Sequence, residues 1–180
     1  LFVDKLDPQS GTTLEIGSSG DTVNLGAGVT AGFGKIGQVV QTTKTDSWSQ
    51  STTDQTYYNP TSFSRTITPT ATSSKILILA CCAWSATTNY EIGTKITRTV
   101  GGSEVDILIG DAAGSRTRTF LSERSNGAAD YATATMILLD SPNTTSEITY
   151  KPVAATEASA TLYLNRHQHC RNQHISAYHL

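Results

Sequence analysis

The decapeptide NRHQHCRNQH, Asn165 to His174, gathers three of the four histidines of the sequence and one of its three cysteines. His167, His169, Cys170 and His174 are zinc ligands by type, and the spacing H-x-H-C-x3-H offers four donors from one stretch of chain. A structural zinc site, however, draws its ligands from two short segments, so that a turn and a second element close the tetrahedron. Here all four lie in one connection, between a strand ending near Arg166 and another starting near His174. Symmetry offers a second arrangement. In an extended strand His167 and His169 face the same way, and three copies about an axis would present six imidazoles to a transition ion. Arg166 and Arg171 flank the motif, and their charge opposes a cation. The expectation is therefore a solvent-exposed hairpin loop that holds no cofactor and serves as a contact surface, with His167 and His169 as the ligands if an ion sits on a trimer axis.

Other constellations are weaker. GAGVTAGFG, Gly26 to Gly34, has glycine spacing close to a dinucleotide fingerprint. That motif binds pyrophosphate at a helix N-terminus, and the KIGQVVQTTKT that follows reads as a strand, so the glycines are read as turns. Glu104 and Asp106 share a strand face, but nothing sets a carboxylate pair across a cleft as a glycosidase requires. No G-x-S-x-G elbow is present. The expectation is that the chain is not an enzyme. Arg116 and Arg118 fall on one face of a predicted strand and could grip anionic sugars through bidentate hydrogen bonds. Trp48, Tyr57, Tyr58 and Tyr90 could stack on sugar rings.

The elements that must position these residues are strands. Charged residues make up 16% of the 180 residues, below the roughly 25% of ordinary soluble domains, and Thr and Ser supply the missing polarity. Threonine suits a pleated surface because its branched β-carbon stiffens χ1. A net charge of −2 carries no footprint for nucleic acid or anionic lipid. The longest apolar stretch, ILILACCAW, is too short to span a bilayer, and the first residues lack the basic-then-apolar pattern of a secretory signal. Cys81 and Cys82 are adjacent and the cysteine total is odd, which argues against a disulfide framework.

Residues 1–35 differ from the rest. Leu14 and Ile16, then Val23 and Leu25, form short apolar pairs nine residues apart, each followed by a Gly-, Ser- and Asp-rich turn. Segments this short cannot bury their apolar faces alone, so a thin stalk wound from three copies is expected. Residues 36–180 read as about ten longer strands, near IGQVVQTTKT, TYYNP, SFSRTITP, SKILILACCAWSA, YEIGTKITRTV, EVDILIG, ATATMILLD, SEITYKPV, ATLYLNR and HISAYHL, with turns at VGGSE, GDAAGS, RSNGAAD and DSPNTTS between them. The predicted class is all-β: an N-terminal stalk, then an antiparallel, jelly-roll-like β-sandwich head. In KILILACCAWS both phases of the alternation are apolar, so the strand lacks a wet face. Leu77, Leu79 and Cys81 are expected to meet another subunit, as are Leu14, Ile16, Val23 and Leu25.

Several phrases, VDKLDPQSGTTLEIGSSGDTVNL, GKIGQVVQTTKT, ITPTATSSKILI, IGDAAGSR and LDSPNTTSEITYKP, resemble in the same order those of small fibre-like virion structural proteins of marine and cyanobacterial tailed phages. The resemblance covers most of the chain. It implies a homotrimeric short fibre on the virion, assembled in the host cytoplasm, with other virion proteins bound through its N-terminus. It also implies a head that binds a glycan or protein of the host surface, for which Arg116, Arg118, Arg166, Arg171, Trp48 and Tyr90 are the contact candidates. A capsid decoration protein that stabilises the shell without a host ligand is the alternative, and a small enzyme degrading surface glycan the third reading. No nucleic acid and no membrane insertion are expected.

Overall fold

A computed structural model describes residues 36–127, 130–166 and 173–179, apart from the side chains of residues 173, 174, 178 and 179. The chain divides into two units, Leu1–Gly34 and Lys35–Leu180, and the described residues belong to the second. Its described elements are all strands: β1 (Gln38–Lys44), β2 (Trp48–Ser51), β3 (Arg65–Ile67), β4 (Ile76–Ala86), β5 (Glu91–Val100), β6 (Ser103–Ile107), β7 (Leu121–Arg124), β8 (Ala132–Asp140), β9 (Ile148–Thr156), β10 (Thr161–Leu164) and β11 (Gln173–His179). Every pairing between them is antiparallel.

The register reduces these eleven strands to eight composite ones. β10 and β11 lie end to end along one edge of β4, Leu162–Leu164 opposite Ala86–Trp84 and His174–His179 opposite Cys81–Ile76. β1 and β2 run end to end beside them. β6 and β7 do the same along β5, with Ile107 opposite Ile96 and Leu121 opposite Thr94. β3 continues the bridge of Tyr58 to Ala154 along β9. Numbered in chain order, the composite strands form one sheet of order 1-8-3-6, here sheet A, and one of order 2-7-4-5, here sheet B. The first strand beside the last, and two four-stranded sheets that exchange strands, define a jelly roll.

Three sequence expectations change. The strands that flank the His-rich connection, β10 and β11, do not form a hairpin, because both run antiparallel to β4 and so point the same way along it. TYYNP contributes a single bridge instead of a strand. Arg116 and Arg118 sit in a loop between β6 and β7, so no strand face aligns them.

The core fills the space between the sheets. Strand alternation places Ile76, Ile78, Ala80, Cys82 and Trp84 of β4 inward against Ile92 and Ile96 of β5, Ile148 and Tyr150 of β9, and Met136 and Leu138 of β8. β8 alternates without a break, buried and exposed in turn. The β5–β6 hairpin turns on Gly101 and Gly102, with φ of 55° and 82°, the left-handed pair that a two-residue turn of this twist requires. Two of the strand breaks open on a left-handed residue just past the strand: Leu108 (φ 53°) after β6 and Asn165 (φ 58°) after β10. Asn165 Nδ2 donates to the carbonyls of Lys44 (2.8 Å) and Asp46 (3.2 Å), tying the β10–β11 break to the β1–β2 break beside it. Lys44, itself buried, reaches both carboxylate oxygens of Asp46 (3.0 and 2.9 Å), and that hydrogen bond holds the Asp46 carboxyl below its usual range.

Candidate functional site

The two outer faces of the sandwich differ in chemistry. On sheet A the cross-strand rows run Leu139–Leu77 and Ile137–Leu79–Ser176–Gln41, and Val39 of β1 lies on the same side. Ile137 is 66% exposed, Leu139 52% and Val39 57%, while Leu77, Leu79 and Cys81 are half-buried. No described side chain pointing outward from β1, β2, β4, β8, β10 or β11 is charged. Leu79, Cys81, Thr135 and Ile137 line a shallow open depression in this face. Cys81 Sγ lies 3.8 Å from Thr135 Oγ1. Cys82 points the other way into the core, where burial pushes its thiol far up.

Sheet B is ion-paired outside. Lys95 meets Asp106 at 2.8 Å and Lys151 meets Glu104 at 2.6 Å. The Lys151 hydrogen bond holds Glu104 below the ordinary carboxylate range. The Tyr57 ring lies over Lys95, with Nζ 3.7 Å from its centroid, a cation–π contact. Glu104 and Asp106, the same-face carboxylates of the sequence, are thus each held by a lysine.

At the β6–β7 break the loop 108–120 folds over this face and makes a half-open cleft of about 260 Å³. Its floor is the cross-strand row Ala155–Gly93–Ser122. Gly93 leaves room for the Tyr57 hydroxyl, since a Cβ there would lie 2.9 Å from it and make the tyrosine shift. The walls are tied to the scaffold. Tyr57 Oη donates to the Arg118 carbonyl (3.2 Å), Thr117 Oγ1 donates to Gln55 Oε1, and Thr119 Oγ1 contacts the carbonyls of Thr94 and Leu121 (2.8 Å each). Glu91, Glu157 and Arg116 stand at the rim. Glu157 accepts from the Glu91 N–H (3.2 Å), and Glu91 accepts from Ser122 (3.3 Å). The Arg116 guanidinium has no partner among the described residues.

The sequence candidates therefore separate. Arg116 lines the cleft, whereas Arg118 turns away and donates from Nε to the Gly110 carbonyl (2.7 Å). Trp48 and Arg166 come together in a shallow recess with Tyr163, Arg166 lying 3.9 Å above the Tyr163 ring. Trp48 also meets the buried Trp84 edge to face at 6.5 Å. Tyr90 is elsewhere, its backbone pairing with Thr88 and Ser125. Leu14, Ile16, Val23, Leu25, His167, His169 and Arg171 lie outside the described residues. Among the described residues no group of three or more His, Cys, Asp or Glu side chains could hold a metal ion. Gln55, Glu91, Gly93, Glu157, Val39, Ile137 and Leu139 were not singled out by sequence. The doubly apolar MILL within β8 was the available signal for Ile137 and Leu139.

No protein-family model matches the chain, and no curated protein matches it. Among solved structures, that of infectious bursal disease virus, Gx strain, is similar over 88% of this chain and 42% of that chain, with 13% identity and a TM-score of 0.44. The VP2 subviral particle of the same virus is similar over 88% and 40%, with 12% identity and a TM-score of 0.37. The chain spans less than half the length of these chains. The class, an antiparallel jelly-roll sandwich, rests on the strand order of this molecule.

Proposed function

We propose that this chain is a structural protein of a virus particle, a homotrimeric short fibre whose N-terminal segment joins it to other virion proteins and whose jelly-roll head faces the host surface. The observation that carries the self-association is the uncharged outer face of sheet A. Ile137, Leu139, Val39, Leu77 and Leu79 form an apolar surface free of described charges, which suits a second copy of itself better than a charged partner. The phrases shared with fibre-like virion proteins support the particle and the number three. No catalytic step belongs to this reading.

Sedimentation of the full chain tests it. Ile137 and Leu139 still expose more than half of their surface. Burying the remainder is worth about 1 to 2 kcal/mol each, so Ile137→Lys with Leu139→Lys should weaken association about 30- to 900-fold and yield monomers. A wild-type chain that sediments as a lone species at working concentration would overturn the trimer, and absence of the chain from purified particles would overturn the virion role. Particles that lack the chain yet adsorb normally and lose heat resistance would replace the fibre with a decoration protein.

A further inference from the structure

We propose that the cleft over Gly93 is a binding site for one neutral pyranose ring of a surface saccharide. This deepens the reading of the head as host-facing and rests on it for the source of the sugar. The volume, about 260 Å³, accommodates a single ring with some solvent. A sugar ring presents vicinal hydroxyls that each donate and accept, and an apolar C–H face. The cleft offers both complements. Acceptors are the carboxylates of Glu91 and Glu157 and the hydroxyl oxygens of Ser122 and Thr117, whose own hydrogens go to Glu91 and Gln55, and the donor is the unpaired guanidinium of Arg116. Ala155 in the floor is only 2% exposed and the Tyr57 hydroxyl and Thr119 side chain stand over Gly93, so the C–H face meets the edge of the half-buried Tyr57 ring and not the bare backbone.

Charge selects the class. Two carboxylates against one guanidinium leave the rim at −1, so an acidic sugar would be repelled even though Arg116 alone would attract it. Preorganisation selects the place. Gln55, Tyr57, Thr117 and Thr119 are all tied to sheet B or to one another, so binding does not need to order the walls. The uncharged face of sheet A is on the opposite side of the sandwich, so ligand binding and self-association are separable.

Saturation-transfer NMR on the full chain, with glucose, galactose, mannose and N-acetylglucosamine against glucuronic and N-acetylneuraminic acid, is the test. One ring should bind with a dissociation constant on the order of millimolar, and the neutral sugars should be preferred. Arg116→Ala removes a side chain without described partners, so the fold is retained, and binding should fall at least about tenfold. Glu157→Gln should weaken it as well. The dissociated Ile137→Lys, Leu139→Lys variant should bind the same sugars as wild type, which separates failure of this site from failure of the trimer. Polysaccharide extracted from the host surface, added as competitor, distinguishes a host source from free monosaccharide. No signal from any neutral sugar, preference for the acidic ones, or binding untouched by Arg116→Ala would each overturn the proposal.

Discussion

Replacing Asp140 by Asn should cost this fold about 3 kcal/mol, because one carboxylate joins both sheets at the end of β8. Asp140 points inward from sheet A and accepts from Arg98 Nη1 at 2.8 and 2.9 Å, from Tyr150 Oη at 2.7 Å and from the Ser141 N–H at 2.8 Å. Arg98 and Tyr150 are cross-strand partners on β5 and β9 of sheet B. Breaking a buried ion pair by removing one charge costs about 3 to 5 kcal/mol. The Arg98 side chain is 21% exposed, so water can partly solvate it once unpaired, which places the cost at the lower end. For a protein of this size that loss lowers the melting temperature by about 6 to 12 °C. Urea unfolding followed by tryptophan fluorescence measures it, best in the dissociated Ile137→Lys, Leu139→Lys background, since self-association would add a concentration-dependent term. Because the penalty comes from stranding a charge, the paired replacement Arg98→Met with Asp140→Leu should be more stable than Asp140→Asn alone. A single Asn variant within about 0.5 kcal/mol of its parent, or a double variant less stable than the single, would refute the argument.

The same network has an alkaline signature. Burial, and then the Asp140 carboxylate that accepts its hydroxyl, push the Tyr150 phenol far above its ordinary value of 10.0. The stabilisation is complete below that ordinary value and declines as pH rises above it, where the unfolded chain releases a proton that the folded one keeps. The slope contributed is about 1.4 kcal/mol per pH unit, and Tyr150→Phe should lack it when urea midpoints are compared across about pH 10; equal slopes would refute the assignment. Thiol labelling reports the sheet A face. In a Cys170→Ser chain, Cys81 should react in the dissociated variant and be protected in the assembled protein, with Cys82 reacting only on unfolding. Equal Cys81 rates in both forms would show that this face is not covered.

Strand identity was legible where burial imposes a pattern. β4, β5, β8 and β9 run through the centre of the sandwich, and their alternation or double apolarity is written in the sequence. β2 (WSQS) and β7 (LSER) were not legible. Each has four residues and exists because a neighbouring strand, β10 for β2 and β5 for β7, leaves an edge for it to pair with. TYYNP erred in the other direction: its β-formers suggested a strand, but Asn59 turns to donate from Nδ2 to the carbonyls of Phe63 (3.0 Å) and Pro152 (2.9 Å), and Pro60 cannot extend the ladder. The hairpin expected between a strand ending near Arg166 and one starting near His174 failed for a topological reason, since a local sequence cannot report that β10 and β11 lie along one edge of β4. The cleft escaped for the same reason. Its residues come from segments near 55, 91, 116 and 156, and the jelly-roll order alone brings them together. Half of the sheet A face was visible, because both phases of ILILACC are apolar. Its continuation on β8 was hidden within a strand whose other outward residues are Thr133 and Thr135.

The distribution of charge over the two sheets bears on how copies would meet. On sheet B, Lys95, Asp106, Lys151 and Glu104 neutralise one another across the strands, a surface suited to water. Sheet A has no described outward charge, and β8 at its margin is a nine-residue strand without lysine or proline, the features that commonly blunt an edge against further pairing. A twofold contact places one patch against itself, whereas a threefold contact places two different patches against each other. Sheet A carries two such patches at opposite margins: Ile137 and Leu139 on β8, and Val39 on β1, the strand by which the chain enters the head. In the proposed trimer the β8 margin of one copy meets the β1 margin of the next, and the ring closes only when the third copy has joined. Closure matters physically, because the same pair of patches left open would recruit copy after copy.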